Sequence, residues 1–231
     1  MLFDILSGSF DKIQFIALLL QIPVVLLALS CHEAAHGYIA WKMGDPAARN
    51  LGRLTLNPVK HLDPIGALCM LLAGYGWAKP VPINTRYFRN PKKGMALSAL
   101  AGPISNLMLA FVFVVLSAVG AVVFKYFPPE TEKVYLIYSI FATFTYMGVY
   151  LNVSLAVFNL IPIPPFDGSR IFLTFLPPKY YFGIMKYERF ILLGVLFLLA
   201  SGFLSFPIEY ISSLIISLFE KLVFGVFGLI L

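Results

Sequence analysis

The part of this chain best suited to chemistry is the pentapeptide HEAAH, His32 to His36. Two imidazoles four residues apart lie on one face of a helix, about 6 Å apart along its axis, so both can bind one metal ion. Glu33, beside the first histidine, is placed to act as a general base on a metal-bound water. The residue types and their spacing therefore predict two ligands and the base of a hydrolytic metal centre.

A catalytic zinc site usually takes three protein ligands and leaves its fourth position to water. Ionisable residues beside apolar sequence are scarce, and the candidates for the third ligand are Asp167, in NLIPIPPFDGSR, and His61, in LNPVKHLDPIG. The prolines in 162–165 break the helix before Asp167 and Gly168 permits a sharp turn, so this carboxylate can bend back toward the metal. His61 lies in a polar loop and fits a hydrogen-bonded loop histidine. Asp167 is the preferred third ligand because of its position at the membrane.

The elements that must position these residues are predicted to be membrane helices. The 231 residues are 60% hydrophobic and 12% charged, with a mean hydropathy of +0.87, whereas a soluble domain has about 25% charged residues. The net charge of +6 does not indicate nucleic acid binding, because the basic residues lie in loops between apolar runs, as topology determinants do. The composition predicts an all-α polytopic membrane protein.

Five apolar runs are long enough, or nearly long enough, to cross a bilayer. They cover about residues 15–41, 95–124, 134–163, 190–206 and 208–231. A sixth span results if the run around 171–184 also enters the membrane. The stretch 64–74 is too short to cross and fits a re-entrant or interfacial segment. Residues 74–84, GYGWAKPVPIN, combine turn formers with extended formers, which predicts a short β-hairpin at the membrane edge; a structural connector is the alternative.

The distribution of basic residues predicts the orientation of these spans. Residues 42–93 contain nine Lys and Arg and residues 168–189 contain four, so both segments are expected in the cytosol and the N-terminus outside. His32 lies nine residues before Trp41, about 14 Å along the helix axis. The metal centre is therefore expected inside the bilayer, nearer the cytosolic face.

Five motifs occur in order along the chain: HEAAHGYIAWKMGD, LGRLTLNPVKHLDPIG, GWAKPVPIN, ALAGPISN and NLIPIPPFDGSR. Together they resemble the site-2 protease group of intramembrane zinc metalloproteases, peptidase family M50. The resemblance covers about residues 15–176. An HExxH motif in the first span with NxxPxPPxDG two long spans later is a specific combination.

The resemblance implies a role for five residues. The ligands of one Zn²⁺ per chain would be His32, His36 and Asp167. Glu33 would be the catalytic base, and Asn159, which precedes the DG motif, would position substrate or stabilise the oxyanion.

The sequence is expected to form a single integral-membrane peptidase domain over 1–231, with a catalytic core at about 15–176 and further transmembrane helices at about 188–231. It fits a minimal HEAAH-type member without PDZ or CBS domains. The expected function is hydrolysis of peptide bonds in or near transmembrane segments. Its partners would be transmembrane substrates and membrane lipids, with no nucleic acid. Its expected location is the cell (inner or plasma) membrane, with the active site toward the cytosol.

Two other function classes fit an intramembrane cluster of His, Glu and Asp. A metal or proton transporter would need ionisable residues that continue toward the other face, and the candidate ligands instead cluster toward one face. A catalytically silent membrane scaffold would have no use for Glu33.

Overall fold

A computed structural model describes residues 12–66, 79–226 and 228 of the chain. Within these ranges the regular secondary structure is helical and contains no strand. The predicted all-α membrane class is thus confirmed.

The helices differ widely in length. The α-helices are α1 (Lys12–Lys42), α2 (Ala47–Asn50), α3 (Pro91–Tyr126), α4 (Glu132–Asn159), α5 (Asp167–Leu173), α6 (Pro178–Met185), α7 (Glu188–Ala200) and α8 (Ser205–Val226). Two short 3₁₀ helices cover Pro58–Lys60 and Thr85–Tyr87.

Three helices are long and apolar enough to cross a membrane, and they match the first three predicted spans. The stretches concerned are Phe15–Lys42, Pro91–Tyr126 and Glu132–Asn159. Large apolar side chains point outward from them: Leu19 is 51% exposed, and Met108 and Ile137 are each 66% exposed. Such surfaces are stable against lipid and costly against water.

The C-terminal helices divide differently from the prediction. The chain breaks at 201–204, where Gly202 has φ 77°, and not at Pro207. Pro207 instead lies in the first turn of α8, where its missing N–H costs no helical hydrogen bond. With 13 residues, α7 is shorter than the roughly 20 that a bilayer requires. The count of five or six spans stays a prediction.

The centre of the fold is α3, which packs against both α1 and α4. Its buried face carries Ala110, Phe113 and Val114, which pack with Val149 of α4. Glycine at 148 makes this approach close, since a Cβ there would lie 2.4 Å from the Phe113 ring. Because α1 packs on α3 as well, HEAAH is held against the same central helix.

The prolines after α4 end that helix, as predicted. It stops at Asn159 and the chain is irregular until α5 begins at Asp167. Gly168, however, does not serve as a sharp turn, because it lies inside α5 without a positive φ. It is needed for close packing, since a Cβ there would lie 2.2 Å from the Leu160 carbonyl oxygen.

The loop after α1 brings a second segment over that helix. Gly44, with φ 117°, turns the chain, and the buried Asp45 carboxylate accepts hydrogen bonds from the amides of Ala47 (2.9 Å) and Asn84 (2.6 Å). Residues 79–84 are irregular rather than a strand. The predicted hairpin at 74–84 and re-entrant segment at 64–74 fall largely on 67–78, outside the described residues, and stay predictions.

Candidate metal centre

The two histidines of HEAAH meet Asp167 in the interior. His32 and His36 lie on the buried face of α1, at 6% and 7% exposed, and Asp167 is the first residue of α5. One ligand atom from each residue lies within 4.8 Å of the others. The structure thus brings together the three predicted ligand residues, although His32 and Asp167 are 135 positions apart in the sequence.

The spacing of these atoms fits a tetrahedral metal. Oδ2 of Asp167 lies 3.0 Å from Nε2 of His32 and 3.2 Å from Nε2 of His36. Ligand atoms bound to zinc at about 2.0–2.1 Å are about 3.3 Å apart along a tetrahedral edge. The two separations from Oδ2 are therefore already close to the value that one zinc ion imposes.

The hydrogen bonds behind the rings fix their tautomers. His36 Nδ1 lies 2.7 Å from the Ser98 carbonyl oxygen, which only accepts, so Nδ1 donates its proton there. His32 Nδ1 lies 2.6 Å from Oδ1 of Asn106. The Asn106 amide nitrogen donates to the Ala28 carbonyl at 3.2 Å, which leaves Oδ1 as the acceptor for His32. Both Nε2 atoms therefore present a lone pair toward Asp167.

Charge also favours a cation among these atoms. With both Nδ1 atoms protonated, neither neutral imidazole has a proton on Nε2 to donate to the Asp167 carboxylate. An ionised carboxylate then faces two imidazole lone pairs, an arrangement that requires a shared proton or a metal ion between them. Two histidines and an aspartate are also a usual donor set for zinc.

Gly102 of α3 forms the wall beside the rings. A Cβ at this position would lie 2.5 Å from Nε2 of His36 and 2.6 Å from Cε1 of His32. Only glycine lets α3 approach α1 this closely without displacing the imidazoles.

Glu33 is held apart from the three ligand candidates. Its Oε2 accepts a hydrogen bond of 2.7 Å from the backbone N–H of Val81, in the segment that crosses α1. Because a carboxylate has two oxygens, the second remains for a water or a substrate group. The residue stands next to the metal-ligand group in sequence and is oriented by a backbone donor.

The two other candidates have different surroundings. Asn159 is half-buried at the end of α4, and its amide donates to the Leu155 carbonyl at 2.9 Å. His61 is buried, and its Nε2 donates to the Thr55 carbonyl at 2.8 Å. It lies outside the group that could hold a metal ion, as expected of a hydrogen-bonded loop histidine.

Sequence reasoning did not identify the partners of the histidine rings. Asn106 and Asn152 are fully buried, and Asn106 donates to Oδ1 of Asn152 at 3.0 Å. Asn106 lies inside the apolar run at 95–124. Its position between two long apolar stretches was the available signal, since a buried amide there needs a polar partner.

Comparison with known proteins agrees with these observations. The sequence model of Peptidase family M50 matches residues 20–201, more than half of the chain. YwhC of Bacillus subtilis is 41% identical over 158 residues, which cover 67% of this chain and 68% of YwhC. Rip2 of Mycolicibacterium smegmatis is 31% identical over 149 residues, which cover 62% of this chain and 52% of Rip2.

A more distant relative comes from an archaeon. MJ0392 of Methanocaldococcus jannaschii is 28% identical over 180 residues, which cover 78% of this chain and 38% of MJ0392. The names of all three relatives contain the words zinc metalloprotease. No solved structure matches the chain significantly. The resemblance drawn from the motifs is confirmed, and the chain belongs to peptidase family M50, the zinc metalloprotease family that its motifs resemble.

Proposed function

We propose that this protein is an intramembrane zinc endopeptidase that hydrolyses peptide bonds in or near transmembrane segments. The observation that carries the proposal is that ligand atoms of two histidines on α1 and of Asp167 on α5 lie close together. Helix α1 is long and apolar enough to cross a membrane. Membership of the M50 family supports the reaction class.

The ligands of one Zn²⁺ are proposed to be His32, His36 and Asp167, the group whose atoms lie within 4.8 Å. When bound, zinc would lower the pKa of a water molecule and polarise the scissile carbonyl. Asn106 and Ser98 contribute by accepting the Nδ1 protons, which keeps both Nε2 lone pairs directed inward.

Glu33 is proposed as the general base. It takes the proton from the attacking water and delivers it to the leaving amine. The Val81 N–H binds Oε2 at 2.7 Å and so holds the carboxylate in one orientation. A half-buried, pre-oriented base needs less reorganisation during the reaction.

Asn159 is proposed to contact the substrate. Its amide group has two N–H donors, and one is used by the Leu155 carbonyl at 2.9 Å. The second can donate to a substrate carbonyl and help stabilise the developing oxyanion. The position at the end of α4, eight residues before Asp167, supports this role.

The proposed site opens toward the cytosol. Nine basic residues in 42–93 and four in 168–189 place those segments on the cytosolic side, and α7 and α8 are proposed to complete five spans. A catalytic centre at the depth of His32 can be reached by a substrate that is itself in the membrane. The protein would therefore reside in the cell membrane, with transmembrane proteins as its substrates.

A helical substrate must be unwound, because its carbonyls are bonded internally. Residues 74–84 are proposed to pair with the unwound strand by strand addition. Pro80 and Pro82 are exposed on either side of buried Val81, and prolines hold their neighbours extended. The contact of Val81 with Glu33 would bring such a strand to the catalytic base.

The proposal is tested with purified protein in liposomes that contain a transmembrane reporter. We expect cleavage in the cytosolic half of the reporter span, mapped by mass spectrometry, which 1,10-phenanthroline abolishes and added zinc restores. Cleavage confined to soluble loops, or cleavage unaffected by the chelator, would contradict it. Zinc flux into empty liposomes, measured with the same preparation, would favour the transport alternative.

A further inference from the structure

A cavity of about 470 Å³ lies in the loop region between α1 and α3. Three cationic side chains line it, those of Arg53, Lys60 and Lys79, and none of the described residues of its lining is a carboxylate. In the sequence these three residues served only to predict topology, and none of them belongs to the metal-ligand group.

Arg53 is the unusual member of the set. It is only 7% exposed, and its Nη2 donates to the Lys79 carbonyl at 2.6 Å. Its Nε is buried and finds no hydrogen-bond partner among the described residues, and no carboxylate in that part of the chain forms an ion pair with it. A buried guanidinium without a counter-charge is costly, so an anion bound in the cavity would stabilise Arg53.

The rim of the cavity indicates what carries the anion. Leu51 is 63% exposed and Val59 is 75% exposed, and both line the same cavity as the cations. A free phosphate gains no binding energy from apolar side chains. A phospholipid does, because its acyl chains lie beside its phosphate. The cytosolic leaflet, where the proposed topology puts this loop, is the one that carries anionic lipid.

We propose that this cavity binds the phosphate of an anionic phospholipid through Arg53, Lys60 and Lys79. The proposal rests on the orientation in the proposed function but not on proteolysis. It connects the lipid to the metal centre, because Arg53 holds the Lys79 carbonyl and the Val81 N–H two residues later binds Glu33. A bound headgroup would fix the segment that orients the base.

The test is a titration of detergent-purified full-length protein with phosphatidylglycerol or phosphatidylcholine, followed by native mass spectrometry. The exposed lysines are removed in the double variant K60Q/K79Q, and K92Q/K93Q removes two exposed lysines outside the cavity lining as a matched control. A cation beside an anionic headgroup contributes about fivefold to the affinity, so the loss of two such cations in K60Q/K79Q should weaken phosphatidylglycerol binding about 25-fold. The control should stay within about twofold of the wild type, and phosphatidylcholine binding should not change.

Equal weakening by both double variants would show a bulk charge effect and overturn the proposal. An excess of inorganic phosphate should leave the lipid bound, and full displacement would overturn the assignment to a lipid. Arg53→Gln should also lose phosphatidylglycerol; because this buried substitution can impair folding, the lysine variants decide the result. None of these readouts depends on cleavage, so failure here and failure of the proposed protease activity are distinguishable.

Discussion

Replacing Asn106 with leucine should weaken zinc binding more than it weakens the fold. Asn106 Oδ1 accepts the proton of His32 Nδ1 at 2.6 Å in a fully buried setting. Loss of such an outer partner costs about 10–100-fold in metal affinity, or about 1.4–2.8 kcal/mol at 1.4 kcal/mol per tenfold. This agrees with the cost of about 1–3 kcal/mol for a buried donor left unpaired.

Asn152→Leu is the matched control. Asn152 is equally buried and accepts from Asn106 at 3.0 Å, but its loss leaves the bond to His32 in place. Asn106→Leu loses three polar contacts between membrane helices and Asn152→Leu loses one; at about 0.6 kcal/mol each, their metal-free proteins should differ by only about 1 kcal/mol in the free energy of unfolding. Asn152→Leu should lower zinc affinity by less than about tenfold.

The assay is competition for zinc against a chromophoric chelator in detergent, with thermal unfolding of the metal-free proteins recorded in parallel. Zinc affinity of Asn106→Leu equal to that of the wild type would refute the reasoning. So would equal losses of affinity in the two leucine variants, since that would indicate general loosening of the helix contact.

Four further substitutions have distinct expected outcomes. Gly102→Ala places a Cβ 2.5–2.6 Å from ring atoms of the two imidazoles, so zinc content should fall well below one per chain while helical circular dichroism stays unchanged; full zinc content would contradict this packing. Asp167→Ala should lose zinc by elemental analysis, whereas His61→Ala, which lies outside the ligand group, should retain it; the reverse would make His61 the third ligand. Val81→Pro removes the N–H that binds Glu33, a charge-assisted hydrogen bond, and should lower reporter cleavage about tenfold or more with zinc retained; unchanged cleavage would show that Val81 does not orient the base.

The parts of the site that the sequence predicted are those fixed by local geometry or by chemical scarcity. The spacing of His32 and His36 places both rings on one face of any helix. Asp167 could be nominated because few carboxylates stand beside apolar runs and prolines end the preceding helix. Both inferences need no knowledge of how the helices pack.

The remaining parts depend on packing, which the sequence does not encode locally. Asn106 faces His32 only because α3 crosses α1 at Gly102, and a uniformly apolar helix gives no hydrophobic periodicity from which that face could be predicted. The Val81 N–H donates to Glu33 from an irregular segment. The position of that segment depends on the hydrogen bond from the Asn84 N–H to Asp45. The break before α8 was assigned to Pro207 because a proline inside a helix was expected to end it, whereas a first-turn proline does not.

The central claim is that HEAAH and Asp167 form a zinc centre whose base is Glu33. The most direct measurement is reporter cleavage and zinc content in the same liposome preparation, for the wild type and for Glu33→Gln. Glutamine keeps the size of the side chain but cannot accept the proton from water, so zinc should stay near one per chain while cleavage falls below detection. Full cleavage by Glu33→Gln, or absence of zinc from the wild type, would contradict the claim.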